Sequence, residues 1–271
     1  IDGITKEKYE KNLEVNIENL LTRMKSFSYR PRPARKTYIP KSNGKLRGLG
    51  IPCYEDKLVQ GAMADVLNEI YENIFYDFSY GFRPKKNCHQ AISQINWLLM
   101  TRKVNYILDA DIKGFFDNID HDIMMMFLEH KIEDKNFLRY IRRFLKSGII
   151  EDYKYYESDK GTPQGGLISP ILANVYLHYV LDNWFSVIKK SFKGEMYLIR
   201  YADDFVVMFQ YEDEARKFYK MLIERMSKFK LELAEDKTRI LPFGRFKGTK
   251  EEFYIISYND TTKKVVALAK N

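Results

Sequence analysis

Cysteine is scarce here: Cys53 and Cys88 are the only two among 271 residues. Each lies among residues that suggest no metal partner, so neither a disulfide framework nor a zinc site is indicated, and buried or idle thiols are expected. Histidine is nearly as sparse, and His89, His121, His130 and His178 follow no spacing that suits a metal ligand set. No run approaches the roughly 18 uninterrupted apolar residues of a membrane span. The opening IDGITKEKYE also lacks the basic-then-apolar order of a signal peptide. A cytoplasmic protein without a membrane partner is therefore expected. No internal repeat, low-complexity tract or linker interrupts the chain. Its 45% hydrophobic content can furnish a sizeable core, which argues against a disordered or fibrous protein.

Charge is present and unevenly placed. The formal net charge is +8, and residues 1–50 carry 12 Lys and Arg against 5 Asp and Glu, so +7 of it sits in the first fifth of the chain. Residues 23–47 hold nine basic side chains and no acidic one, with Phe27, Tyr29 and Tyr38 among them. A merely solvated face would interleave both signs. Cations that neutralise phosphates and rings that stack on bases instead suggest nucleic-acid contact.

Apolar spacing predicts a helix over residues 5–25, with Thr5 as its cap, and a second helix through Leu58, Val59, Ala62, Met63, Val66, Leu67, Ile70 and Ile74. Between them, Arg35–Pro40 and Leu46–Ile51 flank Asn43-Gly44, a strong signal for a β-hairpin. Val104–Ile112 reads as a strand, Asp120 as the cap of a helix to about Lys131, and residues 135–146 as another helix. The segment Gly161–Gly166 is a loop that feeds a helix from Ser169-Pro170 to about Ile188. Met196–Tyr201 and Phe205–Phe209 form a strand pair, residues 213–229 a helix, and Leu231–Ala234 and Thr238–Leu241 two more strands. Tyr176, Tyr179 and Trp184 fit a helix packing face. Strands interleaved with helices favour one α+β unit with subdomains.

Two acidic segments carry the chemistry. Asp203-Asp204 sits between apolar strands, where neighbouring carboxylates repel each other unless a cation is near. Asp is also common in ordinary turns, so this pair alone leaves the question open. Asp109 and Asp111 share one face of their strand by period two, and a buried carboxylate there is costly unless paired or metal-bound. Hard Mg²⁺ prefers such oxygens, and a third carboxylate opposite would complete a two-metal site for phosphoryl or nucleotidyl transfer.

The order of the blocks DIKGFFDNIDH (111–121), GTPQGGLISPILANVYLHYVLD (161–182), RYADDFVV (200–207) and EDKTRILPFGRF (235–246) resembles the reverse transcriptase family. QGG with YADD is most similar to group II intron-encoded proteins. The likeness extends upstream through YIPKSNGKLRGLGIP (38–52) and YGFRP (80–84), covering residues from about 29 to 246.

That resemblance implies a right-hand polymerase fold with fingers and palm. Residues 1–108 would be fingers with a basic N-terminal extension, 109–121 a palm segment with the first metal ligand, 122–160 a helical insertion, 161–250 palm, and 251–271 the divergent end of the palm. Relatives commonly continue through an FLGF-like strand into a thumb; residues 253–258 depart from that motif, and a thumb is expected to be absent. The implied activity is RNA-directed DNA synthesis from deoxynucleoside triphosphates on a primed RNA template, with two Mg²⁺ ions, or Mn²⁺ as substitute, on Asp111, Asp203 and Asp204. Lys237 would protonate departing pyrophosphate, or else pair with Glu235 or Asp236. Lys41 and Arg47 would hold the triphosphate, or else template phosphate. Phe115, slightly preferred, or Phe116 would screen the sugar 2′ position. Gln164 would line the nucleotide pocket, with Arg83, Gly165 and Gly166 beside the template and Arg30, Arg32, Arg35 and Lys36 on RNA. Asp109 and Asp117 become supporting or surface groups. An intron-RNA-binding maturase without polymerase activity is the alternative of a different class. A retron or diversity-generating enzyme fits the basic extension less well. The cell implied is prokaryotic.

Overall fold

The structure is a computed structural model that describes residues 2–40, 44, 46–162 and 165–243, with the backbone of 254–259 and 264–269. Its contacts divide the chain into two compact units: residues 1–67 with 120–169, and residues 68–119 with 170–271. The chain therefore leaves the first unit, builds half of the second, returns, and crosses again.

In the first unit the predicted N-terminal helix is two, α1 (Lys6–Glu10) and α2 (Leu13–Lys25), with Thr5 capping the first. Buried Tyr9 on α1 and Leu20 on α2 anchor them separately. The basic hairpin forms as expected from β1 (Ala34–Pro40) and β2 (Leu46–Ile51), paired from Arg35 opposite Ile51 to Pro40 opposite Leu46. Helix α3 (Tyr54–Tyr71) follows and leads out of the unit.

The second unit begins with α4 (Cys88–Thr101), which the sequence reading did not single out although Asn87 and Gln90 form a complete capping box at its start. Strand β3 (Tyr106–Ala110) and the short helix α5 (Phe115–Asn118) follow. Back in the first unit, Asp120 accepts from the amides of Asp122 and Ile123 to start α6 (His121–Glu129), as predicted, and Asp134 caps α7 (Lys135–Leu145) in the same way. An unpredicted hairpin comes next: β4 (Ile149–Glu151) and β5 (Lys154–Tyr156), turned through Asp152 and Tyr153 at φ 48° and 62°. Strand β4 runs parallel to β1, so the sheet order is β2-β1-β4-β5.

Helix α8 (Ser169–Leu177) passes through a π-helical turn, His178–Asp182, into α9 (Asn183–Ile188), which gives the predicted helix its full length. Strands β6 (Met196–Tyr201) and β7 (Asp204–Phe209) then pair across a two-residue turn. After α10 (Glu212–Lys228), strand β8 (Arg239–Pro242) closes an antiparallel sheet of order β6-β7-β3-β8. The hairpin of β9 (Tyr254–Asn259) and β10 (Lys264–Ala269) ends the described backbone. Leu231–Ala234 is not the strand expected of it, because only Leu233 makes a single bridge, to Ile112.

Alternation assigns the two sheet faces. Ile107, Ile199, Val206 and Met208 pack with Ala91, Ile95 and Leu98 of α4. On the other face Phe209 meets Phe218 of α10 with ring centroids 5.4 Å apart, and Phe185 and Trp184 close on the same ring. Phe218, Leu222 and Met226 are fully buried and recur at helical spacing, each contributing about 1.5–3 kcal/mol. Both cysteines are free and buried, and burial pushes the Cys53 thiol up to about 11. No helix among the described residues is long and apolar enough to cross a membrane.

Candidate active site

The acidic end of the second unit's sheet is assembled by register. Asp109 pairs with Val206 and Ala110 with Phe205, so the next step carries Asp111 opposite Asp204. Tyr201 pairs with Asp204, which leaves Ala202 and Asp203 as the hairpin turn. All three nominated carboxylates thus lie at one end of one sheet. Asp111 is buried, while Asp203 and Asp204 are half-buried.

Lys237 reaches this end from beyond α10. Its Nζ donates to Asp111 Oδ2, and it is not engaged with Glu235 or Asp236, the neighbours considered from sequence. The backbone holds it there: Ala234 N donates to Asp111 O at 2.8 Å, Lys113 N to Glu232 O at 2.8 Å, and Lys237 N to Ala234 O at 3.0 Å. The ammonium supplies the positive charge that a buried carboxylate needs. Among the described residues no three His, Cys, Asp or Glu side chains are drawn together around a point that could hold a metal ion. The donor set still suits a hard cation, because it is all carboxylate oxygen, and one of its members, Asp111, already draws a cationic group. Asp109 faces Arg239 at 3.9 Å, and Asp117 is exposed.

The turn itself is braced by residues that the sequence reading passed over. Arg200 is completely buried; its Nε and Nη2 donate to Asp182 at 2.8 and 2.5 Å, and its Nη1 donates to Asn174 Oδ1 and Ala202 O at 3.0 Å each. Asn174 in turn donates to Gly81 O at 2.8 Å. Ala202 sits at φ 58°, in the left-handed region, so its carbonyl needs such an anchor. Gly81 lies so close that a Cβ there would come within 2.2 Å of Ala202 N. The segment before it pairs with β6 through Tyr80 N to Arg200 O and Arg200 N to Phe78 O, both 2.8 Å. A polar residue pattern in an otherwise apolar strand and helix, Arg200 with Asp182, was the available signal.

Arg83 departs from its expected place beside a template. It is 8% exposed, and its guanidinium donates to Glu72 (2.7 Å at the closest), Tyr76 O (2.6 Å) and Ser79 O (2.8 Å), with the Phe75 ring beneath it. Those bonds occupy it inside the fold. Phe115 is also misplaced by the sequence preference: it is buried against Tyr176, whereas half-buried Phe116 lies edge-on to Phe82. Of the three aromatics expected on a packing face, Tyr176 is buried, while Tyr179 and Trp184 are half-buried, Trp184 against the Phe218 ring.

In the first unit Arg47 is exposed on β2, and Arg30, Arg32 and Arg35 are exposed on the approach to and start of β1. Arg32 pairs with Asp2 at 3.2 Å, and Lys36 with Glu151 at 2.9 Å, a bond that raises the lysine's pKa. Gly165 has φ 115°, and a Cβ on it would lie 2.6 Å from Gly50 O; the close approach is to the chain's own backbone. Gly166 is buried and accepts from Ser169 N. Lys41 and Gln164 lie outside the described residues.

The family model for reverse transcriptase (RNA-dependent DNA polymerase) matches residues 39–259. The chain belongs to the reverse transcriptase family. The group II intron-encoded protein LtrA of Lactococcus lactis subsp. cremoris is 40% identical over 195 residues, 72% of this chain and 31% of that protein. Protein YkfC of Escherichia coli is 32% identical over 273 residues, covering 89% of this chain and 71% of its own. The lactococcal relative agrees with the group II intron likeness of the QGG and YADD blocks. A solved telomerase from Candida albicans, in complex with a fragment of telomeric RNA, superposes with a TM-score of 0.66 at 14% identity, over 97% of this chain and 49% of that one. The α+β fold is thus of the right-hand polymerase type. The chain spans about a third of the length of the lactococcal relative.

Proposed function

We propose that this chain is the polymerase core of a group II intron-type reverse transcriptase and also binds intron RNA as a splicing maturase. The observation that carries this reading is the register that brings Asp111, Asp203 and Asp204 to one end of one sheet. The first unit corresponds to fingers and the second to palm. Two Mg²⁺ ions, or Mn²⁺, held by these carboxylates would supply the Lewis acidity for nucleotidyl transfer. Lys237 stands ready as the proton donor to pyrophosphate, since its ammonium already reaches Asp111. Phe116 screens the sugar 2′ position, because Phe115 is committed to the core. Gln164 lines the nucleotide pocket, and Lys41 and Arg47 hold the triphosphate. Arg30, Arg32, Arg35 and Lys36 face RNA phosphates. The bacterial relatives support a prokaryotic cytoplasm as the setting.

Primer extension on an RNA template tests the proposal directly. Mg²⁺-dependent incorporation of deoxynucleotides is the expected result; RNA binding with no incorporation under any divalent cation gives the maturase alternative the advantage. The role of Arg47 is separable. Arg47→Ala is expected to raise the deoxynucleotide concentration for half-maximal extension by about tenfold, roughly the value of one charge-assisted phosphate contact, with RNA affinity unchanged. A fall in RNA affinity alone would assign Arg47 to the template.

A further inference from the structure

Helix α7 carries the sequence KNFLRYIRRFL, and its apolar side, with Leu138, Ile141, Phe144 and Leu145, is buried. Arg139 and Arg143 stand four residues apart on the other side. Like charges at that spacing disfavour a helix, so a compensating anion is to be looked for. Arg142, between them in sequence, has one in Asp122 at 3.0 Å. Arg139 and Arg143 make no ion pair among the described residues, and neither does Arg30, which the fold brings to them.

The meeting point is the turn at Phe27, whose φ is 57°. Arg30 Nη1 donates to Phe27 O at 2.5 Å and Tyr29 O at 3.1 Å. Arg143 Nη1 donates to the same two oxygens at 3.1 and 2.8 Å. Two guanidiniums are therefore held side by side on shared carbonyls. Arg139 lies over the Phe27 ring, 4.4 Å from its centroid, and adds a third. Burial and then the charges of Arg30 and Arg139 lower the Arg143 pKa, as expected where cations crowd without a carboxylate between them. By contrast Arg23, in the same basic stretch, is matched by Glu55 at 2.5 Å.

We propose that Arg30, Arg139 and Arg143 form a binding site for nucleic-acid phosphates, built jointly by the N-terminal segment and the helical insertion. One Nη1 of Arg30 and of Arg143 is spent on carbonyls, which fixes both planes and leaves their remaining N–H groups to bind diester oxygens in bidentate fashion. The surrounding residues 23–47 are basic throughout, so the site takes a strand carrying repeated phosphates rather than a single anion. The site rests on the reading of this protein as an RNA binder, and it extends that surface to residues outside the basic N-terminal stretch.

The test is the salt dependence of binding to a labelled single-stranded RNA, measured with the whole chain over a KCl series. Each phosphate contact adds about 0.7 to the slope of log K against log salt. Arg139→Gln with Arg143→Gln is expected to lower that slope by about one to two units and weaken affinity at low salt about tenfold or more. Lys220→Gln with Lys228→Gln removes two charges from exposed positions on α10, and is expected to leave the slope nearly unchanged. Arg143→Lys should retain most of the slope. If the double variant unfolds, as far-ultraviolet circular dichroism would reveal, Arg139→Gln alone decides, since Arg139 has only its ring contact with Phe27 to lose; a drop of about 0.7 is then expected. A slope equal to that of the wild type, or an equal loss in the α10 control, overturns the site while RNA binding stands. A wild type that binds no RNA overturns both. Loss of binding to anionic phospholipid vesicles, with RNA binding intact, would reassign the arginines to a membrane surface and also overturn the proposal.

Discussion

Asp203→Asn is expected to reduce Mg²⁺-dependent DNA synthesis by about a thousandfold or more, while fold and RNA affinity stay nearly the same. The substitution is nearly isosteric and removes one negative charge from a half-buried turn. Stability should therefore change little. A metal ligand would act on charge that develops on the transferring phosphate, whereas the cations proposed to contact RNA are other residues, and loss of an acidic group can only ease the approach of phosphates. Affinity for RNA is expected to hold or rise slightly. Asp111→Asn should be as damaging to synthesis; the lysine it abandons, Lys237, is 58% exposed and remains solvated, so that variant should fold too. The measurements are primer extension with titrated Mg²⁺ and RNA binding on the same preparations. Equal extension by wild type and Asp203→Asn would show the metal assignment to be wrong.

The Arg200–Asp182 pair predicts a large effect of another kind. Asp182→Ala leaves a guanidinium fully buried without its carboxylate, which typically costs about 3–5 kcal/mol, a large part of an ordinary domain's stability. Denaturant unfolding should show it as a marked drop in midpoint. Replacing both members, Arg200→Met with Asp182→Leu, should recover much of that loss, because a packed apolar pair needs no desolvation of charge. It would not restore the bonds from Arg200 to Ala202 O and Asn174. The double variant is therefore expected to be stable but slow, with the maximal rate of extension lowered and the deoxynucleotide requirement little changed. A loss below about 1 kcal/mol in Asp182→Ala would contradict the burial argument, and full synthesis by the double variant would remove the bracing role.

Local chemistry made much of the fold legible. The hairpin of β1 and β2 follows from strand-forming residues on either side of the Asn43-Gly44 sequence signal, α6 from the side chain of Asp120, and the long helix after residue 169 from Ser169-Pro170, each a signal within a few residues. The alternation of Asp109 and Asp111 and the turn at Asp203 raised an acidic site along the chain, but it was the resemblance carried by the DIKGFFDNIDH and RYADDFVV blocks that nominated Asp111, Asp203 and Asp204. The division of the N-terminal helix and the failure of Leu231–Ala234 to become a strand were not legible. In those segments apolar spacing was satisfied, yet Asn12 leaves helical geometry between α1 and α2, and Leu233 makes a single bridge to Ile112 in place of a strand.

What the sequence by itself determined, then, is which residues can form strands, caps and acidic turns, because those preferences are settled between near neighbours. Only the tertiary structure decided which donor takes which acceptor. Lys237 reaches Asp111 across 126 positions rather than its own acidic neighbours, and Arg83 is consumed by Glu72 and two carbonyls instead of facing a template. Arg200 finds Asp182 through the crossing of a strand and a helix, and Phe115 turns inward while Phe116 does not. Such choices turn on which buried group would otherwise lack a partner, and burial exists only once distant segments have packed.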